Sequence, residues 1–375
     1  MRKLNHLTTV VFAFALAGGI VERATSQNVD PAKALAEIQQ KPLSKGPHGE
    51  DPAPASSVTL TPEELDKIKG LKAKAAIVMH YAGNDWSQAQ VAGLKAQFAK
   101  MGIEVIAVTD AGFKPEKQVS DIETILAQKP QIIVSIPTDP VSTASAYMKA
   151  SQQGVKLVFM DNVPKGMEAG KDYVSVVSAD NAGNGAVAAL LMGKFLKGNG
   201  QIGLVYHAAD FFVTRQRYDA FKKTITDDYP AIKIVEEQGI GGPDFSGDGE
   251  KAASAILTSH RGVNSIWAVW DVPAEGVISA ARSAGADNLV VTCCDLGLNV
   301  AIDMAQNGFV KGLGAQRPYD QAVTEAILAG YGLLGKQAPA YVALPALPVT
   351  RDNLLQAWKE VYHADAPDTI KQSMQ

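Results

Sequence analysis

The sequence contains little cysteine, and this shortage limits the chemistry that it can support. Among 375 residues only Cys293 and Cys294 are present, and a disulfide between neighbouring cysteines is strained. We therefore expect two thiols on a buried strand, with a reactive thiol site as the alternative. The six histidines do not follow the spacing of a metal site, and no G-x-S-x-G nucleophile elbow is present. The sequence indicates no metal, no cofactor and no catalytic residue.

An excess of charge of one sign is also missing. The formal net charge is -4 at pH 7, and 20% of the residues are charged. Without a basic field or a basic amphipathic segment, neither nucleic acid nor a membrane surface is indicated as a partner. The 46% of hydrophobic residues is ordinary for a globular protein, and 375 residues are enough for two domains with separate cores.

An apolar run near the N-terminus is shorter than a typical transmembrane helix. Arg2 and Lys3 precede the run from Leu7 to Ile20, and Ala24-Thr25-Ser26 then provides small residues for cleavage. This pattern predicts a secretory signal over Met1 to Gln27 and a soluble protein in the periplasm, with an uncleaved anchor as the alternative. No cysteine follows the run, which excludes a lipoprotein anchor.

Residues 28–72 are expected to form an N-terminal extension or linker. A short helix is predicted from Pro31 to Gln39. The following stretch from Lys41 to Ser57 is rich in Pro, Gly and Ser, and we expect it to stay unordered because it can bury little apolar area. Thr61-Pro62-Glu63-Glu64 is typical of a helix start, because an N-cap residue precedes a proline and two acids.

The central feature of the chain is a strand-helix-strand unit from Ala75 to Val108. An apolar run is followed by a polar loop and then by a helical pattern with apolar residues three and four positions apart, at Val91, Leu94, Phe98 and Met101. The same plan returns from Gln201 to Glu236. Strands and helices alternate through both halves, which predicts an α/β protein with two similar doubly wound parallel-sheet lobes that face each other across a cleft.

Polar and aromatic residues follow the predicted strands, at the edge where open α/β sheets bind ligands. Carboxylates, amides and an arginine can fix neighbouring hydroxyl groups, and aromatic faces cover the C-H side of a sugar. For any single residue the alternative is that it caps the next helix. His80 and His207 occupy equivalent loop positions, where they either face the ligand or hinge or are satisfied within their loops. The candidate ligand-binding residues are Asn84, Trp86, Asp161, Asn162, Arg217, Phe245, Trp270, Asp295 and Gln316.

Several motifs between Ala73 and Asn353 resemble the type I periplasmic solute-binding proteins of ABC transporters, in the ribose-binding branch. They are IVMHYAGNDWSQAQVAGLKAQFAKMGIEV, QIIVSIPTDP, GVKLVFMDN, VVSADNAGNGAVAALLM, RQRYDAF, VVTCCDLG and the strand end at Gln316. The resemblance implies a hinge of three chain crossings, near Ser178 to Asn181, Gln316 to Arg317 and Pro345 to Val349. It implies an N-terminal lobe of residues 73–179 and 317–345, and a C-terminal lobe of residues 180–316 and 346–375.

The resemblance also implies a function. The family's sugar contacts fall on the nine candidate residues, and the implied partners are a small sugar or polyol and an inner-membrane permease, with the receptor acting as a monomer that does not catalyse a reaction. The chain departs from ribose-binding proteins at three places: Ser87 follows Trp86 where they have a second aromatic, Asn162 stands where they have an arginine, and Trp270 stands where they have Asn or Asp. Ribose itself is therefore disfavoured, and another pentose or a short linear polyol is favoured.

Other functions are open at this point. An amino acid or other small carboxylate could be the ligand, with Arg215, Arg217 and Arg317 supplying positive charge. A sugar-responsive sensor or a transcription regulator of the same fold is a second alternative, although no helix-turn-helix precedes Ala75 and a secretory signal is predicted. A periplasmic enzyme is the third.

Overall fold

Over residues 29–209 and 211–375, which the computed structural model describes, the chain forms thirteen strands and thirteen α-helices. The strands are β1 (Ala53–Pro54), β2 (Lys74–Met79), β3 (Glu104–Asp110), β4 (Ile132–Ser135), β5 (Lys156–Met160), β6 (Ser175–Ala179), β7 (Gly200–His207), β8 (Ile232–Ile240), β9 (Ser265–Ala268), β10 (Val290–Cys294), β11 (Val310–Ala315), β12 (Tyr341–Leu344) and β13 (Leu347–Val349). The predicted signal from Met1 to Gln27 lies outside the described residues.

The helices pack on both faces of the sheets that these strands form. They are α1 (Pro31–Ile38), α2 (Pro62–Leu71), α3 (Asp85–Lys100), α4 (Pro115–Ala127), α5 (Ala144–Gln152), α6 (Asn181–Phe195), α7 (Phe212–Asp228), α8 (Phe245–Ser259), α9 (Asp271–Ser283), α10 (Leu298–Ala305), α11 (Pro318–Leu334), α12 (Leu354–Tyr362) and α13 (Asp368–Ser373). Short 3-10 turns cover Ala55–Ser57 and Arg351–Asn353.

The strands form two sheets, one in each lobe. The order is β1-β12-β6-β5-β4-β2-β3 in the first sheet and β13-β11-β10-β9-β7-β8 in the second. β13 runs antiparallel to β11, and the other pairs are parallel. The second lobe thus repeats the first, so that β7, β8, β9, β10 and β11 correspond to β2, β3, β4, β5 and β6. The predicted α/β fold with two similar parallel-sheet lobes is confirmed.

The middle strands are apolar on both faces because helices cover both sides of each sheet. Every residue of β4 and of β9 is buried. In the opening unit of the first lobe, the Asn84 side chain caps α3 by accepting a hydrogen bond from the Ser87 amide at 3.0 Å. Beyond the C-terminus of α3, Gly102 has a φ of 66°, a conformation that favours glycine. The predicted strand, loop and helix are therefore present.

The chain passes between the lobes at three places after the first strand of the repeat. β6 of the first sheet leads into α6, β11 of the second sheet leads into α11 on the first lobe, and β12 leads into β13. These passages lie near the three predicted crossings. The exact lobe boundaries given by the resemblance stay a prediction.

The segment from Asp30 to Thr59, which we call the strap, also connects the lobes. Helix α1 packs on α6 of the second lobe, where Ile38 is buried. The amides of Leu43 and Ser44 then donate to the Asp180 carboxylate at 2.9 and 2.8 Å. Further on, β1 pairs with β12 of the first sheet. The strap therefore runs from the second lobe to the first, over one of the hinge crossings.

The prediction that Lys41 to Ser57 stays unordered is wrong. Composition shows that this stretch cannot build a core of its own, and it does not do so. Its backbone instead finds hydrogen-bond partners more than a hundred residues away, in Asp180 and in β12. Such partners belong to the hinge and to the folded first lobe, so the local sequence gives no sign of them.

The two cysteines lie in β10, and both are free and buried. Burial raises the pKa of Cys294 to about 12 and also raises the pKa of Cys293. Both side chains are therefore neutral thiols at ordinary pH, as the sequence predicted for a buried strand.

Candidate functional site

A cavity of about 600 Å³ lies between the lobes, at the carboxyl ends of both sheets. Its walls are the loops that follow β2, β3, β4 and β5 in the first lobe and β7, β8, β9, β10 and β11 in the second. Because corresponding strands end at the same edge of each sheet, corresponding loops face each other across the cavity. This is the edge at which the sequence placed the candidate ligand-binding residues.

The lobes are in contact around the cavity. The Asp85 carboxylate, in the first turn of α3, accepts a hydrogen bond from the Leu298 amide at the N-terminus of α10 in the other lobe, at 2.8 Å. The rings of Phe113 and Phe245, from opposite lobes, lie 5.7 Å apart in an edge-to-face arrangement. Phe211 of the second lobe packs against the hydrophobic core of the first. The structure therefore shows the closed arrangement of the two lobes.

The second lobe contributes a preformed polar network to the cavity. The Arg217 guanidinium donates to the Asp295 carboxylate at 2.9 Å, to the Asn181 side-chain oxygen at 2.9 Å and to the Val269 carbonyl at 3.2 Å. The Gln316 amide donates to the other Asp295 oxygen at 2.8 Å. Arg217 is only 2% exposed, so the pair is shielded from solvent, and its geometry is fixed before a ligand enters.

The first lobe contributes Asp161, which has fewer partners. Ser178 donates to its carboxylate at 2.5 Å. Burial raises the pKa of Asp161 to about 6; the Ser178 hydrogen bond and the Arg217 charge act in the opposite direction, and Asp295 acts with burial. Like Asp295, Asp161 follows its strand directly and has a positive φ. Strained backbone conformations of this kind are frequent at functional sites.

Four polar atoms at the cavity wall are buried and have no hydrogen-bond partner within the described chain. They are Trp86 Nε1, Thr138 Oγ1, Gln316 Oε1 and His80 Nδ1. Buried polar groups are almost always satisfied, so these atoms identify positions where a ligand or water supplies the partner. The set contains both donors and acceptors, which matches hydroxyl groups because each of these can donate and accept.

Aromatic rings line the mouth of the cavity. Tyr81 stacks on Phe113 with ring centroids 5.1 Å apart, and His80 faces Phe211 across the lobes at 6.5 Å and 14°. We call Tyr81, Phe113, Phe211 and Phe245 the aromatic end of the cavity. We call Asp161, Arg217, Asp295 and Gln316 the polar end, and these four are buried.

The two histidines at the cavity are neutral. Burial lowers the pKa of His80 to about 3 and lowers the pKa of His207 as well. His207 Nδ1 lies 3.1 Å from the Thr214 hydroxyl, and its ring contacts those of Phe245 and Trp270. Both histidines line the cavity, and both act there as uncharged rings.

Eight of the nine candidate residues line the cavity: Asn84, Trp86, Asp161, Arg217, Phe245, Trp270, Asp295 and Gln316. Asn162 is the exception. It is buried, and its amide donates to the Pro137 carbonyl at 3.4 Å instead of turning toward the cavity. The left-handed backbone of Asp161 changes the chain direction at this point, so only the first residue of the pair reaches the cavity. Asn84 both caps α3 and lines the cavity, so the two interpretations of a strand-end amide are compatible.

Sequence reasoning missed most of the aromatic end. Phe113 follows β3 and Gly112, and Phe211 precedes α7, so both occupy strand-end loops. The rule that selected Asn84 and Asp295 could have selected them, but a lone phenylalanine in a loop carries no chemical signature. Their contribution becomes visible only when the lobes are brought together.

The positively charged side chains near the cavity differ in position and in pairing. Of the three arginines considered for a carboxylate ligand, only Arg217 lines the cavity, and it is paired with Asp295. Arg215 is exposed, and Arg317 donates to Glu360 at 3.4 Å. Lys114 lies at the exposed rim.

Within residues 29–209 and 211–375, no group of three or more His, Cys, Asp or Glu side chains could hold a metal ion. In the same ranges, no helix has the length and apolar character needed to cross a bilayer.

Two similar parallel-sheet lobes that close over a cavity at their strand ends define a two-lobed ligand-binding protein. The family model described as "Periplasmic binding protein domain" matches residues 75–337. The chain belongs to this family. The match covers both repeats and all the strand-end loops that line the cavity.

Curated relatives are similar to most of the chain at modest identity. The "D-ribose/D-allose-binding protein" of Pseudomonas aeruginosa is 26% identical over 276 residues, which are 72% of this chain and 85% of that protein. The "Ribose import binding protein RbsB" of Bacillus subtilis is 28% identical over 200 residues, which are 53% of this chain and 62% of that protein.

Solved structures share the fold. An ABC transporter solute-binding protein from Agrobacterium vitis with bound α-D-tagatopyranose superposes with a TM-score of 0.71 at 20% identity, covering 78% of this chain and 99% of that one. An ABC transporter periplasmic solute-binding protein from Actinobacillus succinogenes with bound D-allose has a TM-score of 0.68 at 22% identity, covering 76% and 99%. At these identities the likeness is one of fold.

Proposed function

We propose that this protein is the substrate-binding component of an ABC importer and that it binds a small sugar or polyol between its lobes. The observation that carries the proposal is the polar end of the cavity. There Asp161, Arg217, Asp295 and Gln316, from both lobes, present charged and amide groups that can bind neighbouring hydroxyls. Such planar groups form paired hydrogen bonds that fix the orientation of a polyhydroxylated ligand.

The unpartnered atoms of the cavity support the same ligand class. Trp86 Nε1 can only donate, Gln316 Oε1 can only accept, and the Thr138 hydroxyl can do either. A ligand rich in hydroxyl groups satisfies all three kinds, whereas an apolar ligand satisfies none. The relatives named for D-ribose, D-allose and ribose import support a sugar, and the eight candidate residues at the cavity are the proposed ligand contacts.

Within this class we favour a pentose other than ribose or a short linear polyol. Asn162, which replaces an arginine of the ribose-binding pattern, turns away from the cavity, and Trp270 replaces an amide or carboxylate with an indole. The retained Asp161, Arg217 and Asp295 can still bind neighbouring hydroxyl groups. A solved neighbour from Agrobacterium vitis has bound allitol, and one from Agrobacterium radiobacter is in complex with D-arabinose.

A carboxylate ligand is the second candidate, and the charges of the cavity disfavour it. The buried Arg217 is already paired with Asp295, and Asp161 adds a second carboxylate beside it. Both histidines are uncharged. An amino acid would place its own carboxylate among these groups, which costs free energy without a free buried cation to offset it.

The proposed setting follows from the family. We propose a periplasmic receptor, exported through the predicted signal, that acts as a monomer, catalyses no reaction and delivers its ligand to an inner-membrane permease. Hinge closure over the ligand is the step that the permease would recognise.

A thermal-shift screen tests the proposal. The protein would be heated with D-ribose, D-allose, D-arabinose, D-tagatose, allitol and a panel of amino acids. A ligand that binds only the folded form stabilises it by about 2.7 kcal/mol at roughly 100 times its Kd. We expect at least one sugar or polyol to raise the Tm. A rise with amino acids alone would contradict the proposal, and turnover of a bound sugar would replace the receptor by an enzyme.

A further inference from the structure

The cavity is larger and more aromatic than a small polyol requires. Its volume of about 600 Å³ falls within the range of roughly 300–1,000 Å³ that encloses drug-sized ligands. The hydrogen-bonding groups are concentrated at the polar end, whereas Tyr81, Phe113, Phe211 and Phe245 line the mouth. A single monosaccharide held at the polar end and against Phe245 leaves Tyr81, Phe113 and Phe211 without a ligand contact.

The aromatic end offers few partners to a second ring of hydroxyl groups. Of its four side chains only Tyr81 has a hydrogen-bonding group, and the cavity wall also includes Ala209, Val213, Pro243 and Val272, which offer no side-chain partner to a hydroxyl. A hydroxyl group that is buried without a partner is strongly unfavourable. His80 and His207 are neutral and give no favourable charge to an anionic group. An uncharged and mainly apolar part of a ligand therefore suits this end best.

The backbone at Phe113 gives independent support. Phe113 has a φ of 59° and follows Gly112, which has a φ of 57°. A left-handed conformation is a genuine outlier for a bulky residue, and such strain is retained where it positions a functional group. Here it turns the ring to the cavity mouth, where it contacts Tyr81 of its own lobe and Phe245 of the other. Phe113 is nevertheless 36% exposed, so part of the ring has no contact within the protein.

We propose that the ligand has two parts: a polyhydroxylated part bound at the polar end and an uncharged aromatic or alkyl substituent bound at the aromatic end, as in an aryl glycoside. This inference rests on the proposed function of sugar or polyol binding and narrows its substrate class. Aromatic pairs prefer edge-to-face or offset stacked arrangements, and the rings of Phe113, Phe211 and Phe245 come from both lobes. A substituent that packs against these rings is therefore enclosed when the lobes close.

Isothermal titration with matched sugars tests the inference. Wild-type protein would be titrated with D-ribose, D-allose and D-arabinose and with the methyl and phenyl glycosides of each. At least one phenyl glycoside is expected to bind ten-fold or more tightly than its methyl glycoside and its parent sugar. The Phe113→Ala variant is expected to lose most of this ten-fold preference, which is measured as the ratio of its Kd values for the methyl and phenyl glycosides, so that any loss common to both ligands cancels. Phe211→Ala tests the same preference from the opposite lobe.

Phe195→Ala is the matched control, because Phe195 is also 36% exposed but does not line the cavity; it should keep the wild-type preference. If parent sugars bind as tightly as every phenyl glycoside, the inference is overturned and the proposed function stands. If Phe113→Ala and Phe211→Ala weaken all ligands equally, the rings serve lobe closure instead, and the inference is again overturned. If no sugar, polyol or glycoside binds at all, the proposed function fails as well.

Discussion

Asp161 and Asp295 occupy equivalent positions in the two lobes, but their surroundings differ. Each directly follows a corresponding strand, β5 or β10, and each has a left-handed backbone, with φ of 56° and 68°. Asp295 is bonded to Arg217 and Gln316. Asp161 accepts a hydrogen bond from Ser178, and burial raises its pKa to about 6.

The difference shows how a duplicated fold can divide one task between two equivalent positions. The second lobe presents a carboxylate whose charge is matched by a buried arginine before any ligand enters. The first lobe presents a carboxylate whose charge is poorly compensated, so that hydroxyl groups of a ligand are its best remaining partners. A ligand between the lobes therefore contacts the preformed network of Asp295 on one side, and lobe closure brings Asp161 to its other side.

Removing Arg217 should have the largest effect on stability and binding, because Arg217 holds the polar network of the second lobe together. Arg217→Ala leaves Asp295 buried without its cation, and breaking a buried pair costs about 3–5 kcal/mol of stability. Ligand binding should weaken by about 2 kcal/mol or more. Titration calorimetry and thermal unfolding would measure both. Lys223→Ala, which removes an exposed cation in an i,i+4 surface pair on the same helix, should have little effect on either, and near-native titration of Arg217→Ala would show that the site is misplaced.

Removing the first-lobe carboxylate should weaken binding without a comparable loss of stability. Asp161→Ala is expected to cost about 2 kcal/mol or more in binding, because the ligand hydroxyls lose a charged acceptor. Asp161→Asn is the sharper variant, since asparagine tolerates the left-handed backbone. Its Tm should equal or exceed that of the wild type, because a poorly compensated buried charge is removed. A Tm loss as large as that of Arg217→Ala would mean that the charges of Asp161 and Asp295 are equally well compensated.

The pH dependence of binding should reveal which carboxylate titrates. Burial raises the pKa of Asp161 to about 6, and the facing charges of Arg217 and Asp295 act in opposite directions on it. Nearby Glu325 is also buried, and burial, with the charge of Asp161, raises its pKa well above its usual range. Ligand hydroxyls donate to the charged form of Asp161. Affinity should therefore fall about ten-fold between pH 7 and pH 5, and Asp161→Asn should flatten this profile.

The same pKa has a consequence for stability with the opposite sign. In the unliganded protein Asp161 binds its proton more tightly than in the unfolded chain, so the folded state carries more protons between about pH 4 and pH 6. The contribution of Asp161 to stability should therefore decline as pH rises through that window. Thermal unfolding of wild type and Asp161→Asn at several pH values would measure it, and parallel pH curves for the two proteins would contradict the assignment.

Much of this comparison could be predicted from the sequence, because it depends on local patterns. The apolar runs and helical periodicities give the repeated units, and the polar residues at strand ends give Asp161, Asp295 and Gln316. The partners of those residues could not be predicted in the same way. Arg217 reaches Asp295 across 78 residues of sequence, and no local rule shows that Asn162 turns away while its neighbour Asp161 faces the cavity.

The aromatic end and the strap were missed for a related physical reason. Phe113 and Phe245 become neighbours only when the lobes close. Lys41 to Ser57 has no core of its own, and its order comes from hydrogen bonds to Asp180 and from pairing with β12. Composition predicts whether a segment can fold alone. It does not predict whether a folded neighbour offers the segment a set of partners.

The contact between α3 of the first lobe and α10 of the second lobe should have a smaller effect. Asp85 accepts a hydrogen bond from the Leu298 amide of the other lobe at 2.8 Å, at a helix N-terminus where a carboxylate is favourable. Asp85→Ala should weaken ligand binding by about 1 kcal/mol, since only the closed form contains this bond. Without ligand, small-angle scattering should show a larger radius of gyration for Asp85→Ala than for the wild type. Asp219→Ala, at an exposed site on α7, is the control. An unchanged radius of gyration and affinity in Asp85→Ala would contradict a role of this hydrogen bond in lobe closure.

The smallest effect is expected at Asp180, the strand-end aspartate that faces the strap instead of the cavity. It follows β6, as Gln316 follows the corresponding β11. Ser44 of the strap donates its amide to Asp180, and its hydroxyl accepts from the Ala182 amide at 2.9 Å. Ser44→Ala leaves the Ala182 amide unpaired and should lower the free energy of unfolding by about 1 kcal/mol. Ser56→Ala, at an exposed site, should not. Because Asp180 lies in the hinge and does not line the cavity, the Kd should stay unchanged. An altered Kd would mean that the strap also influences lobe closure.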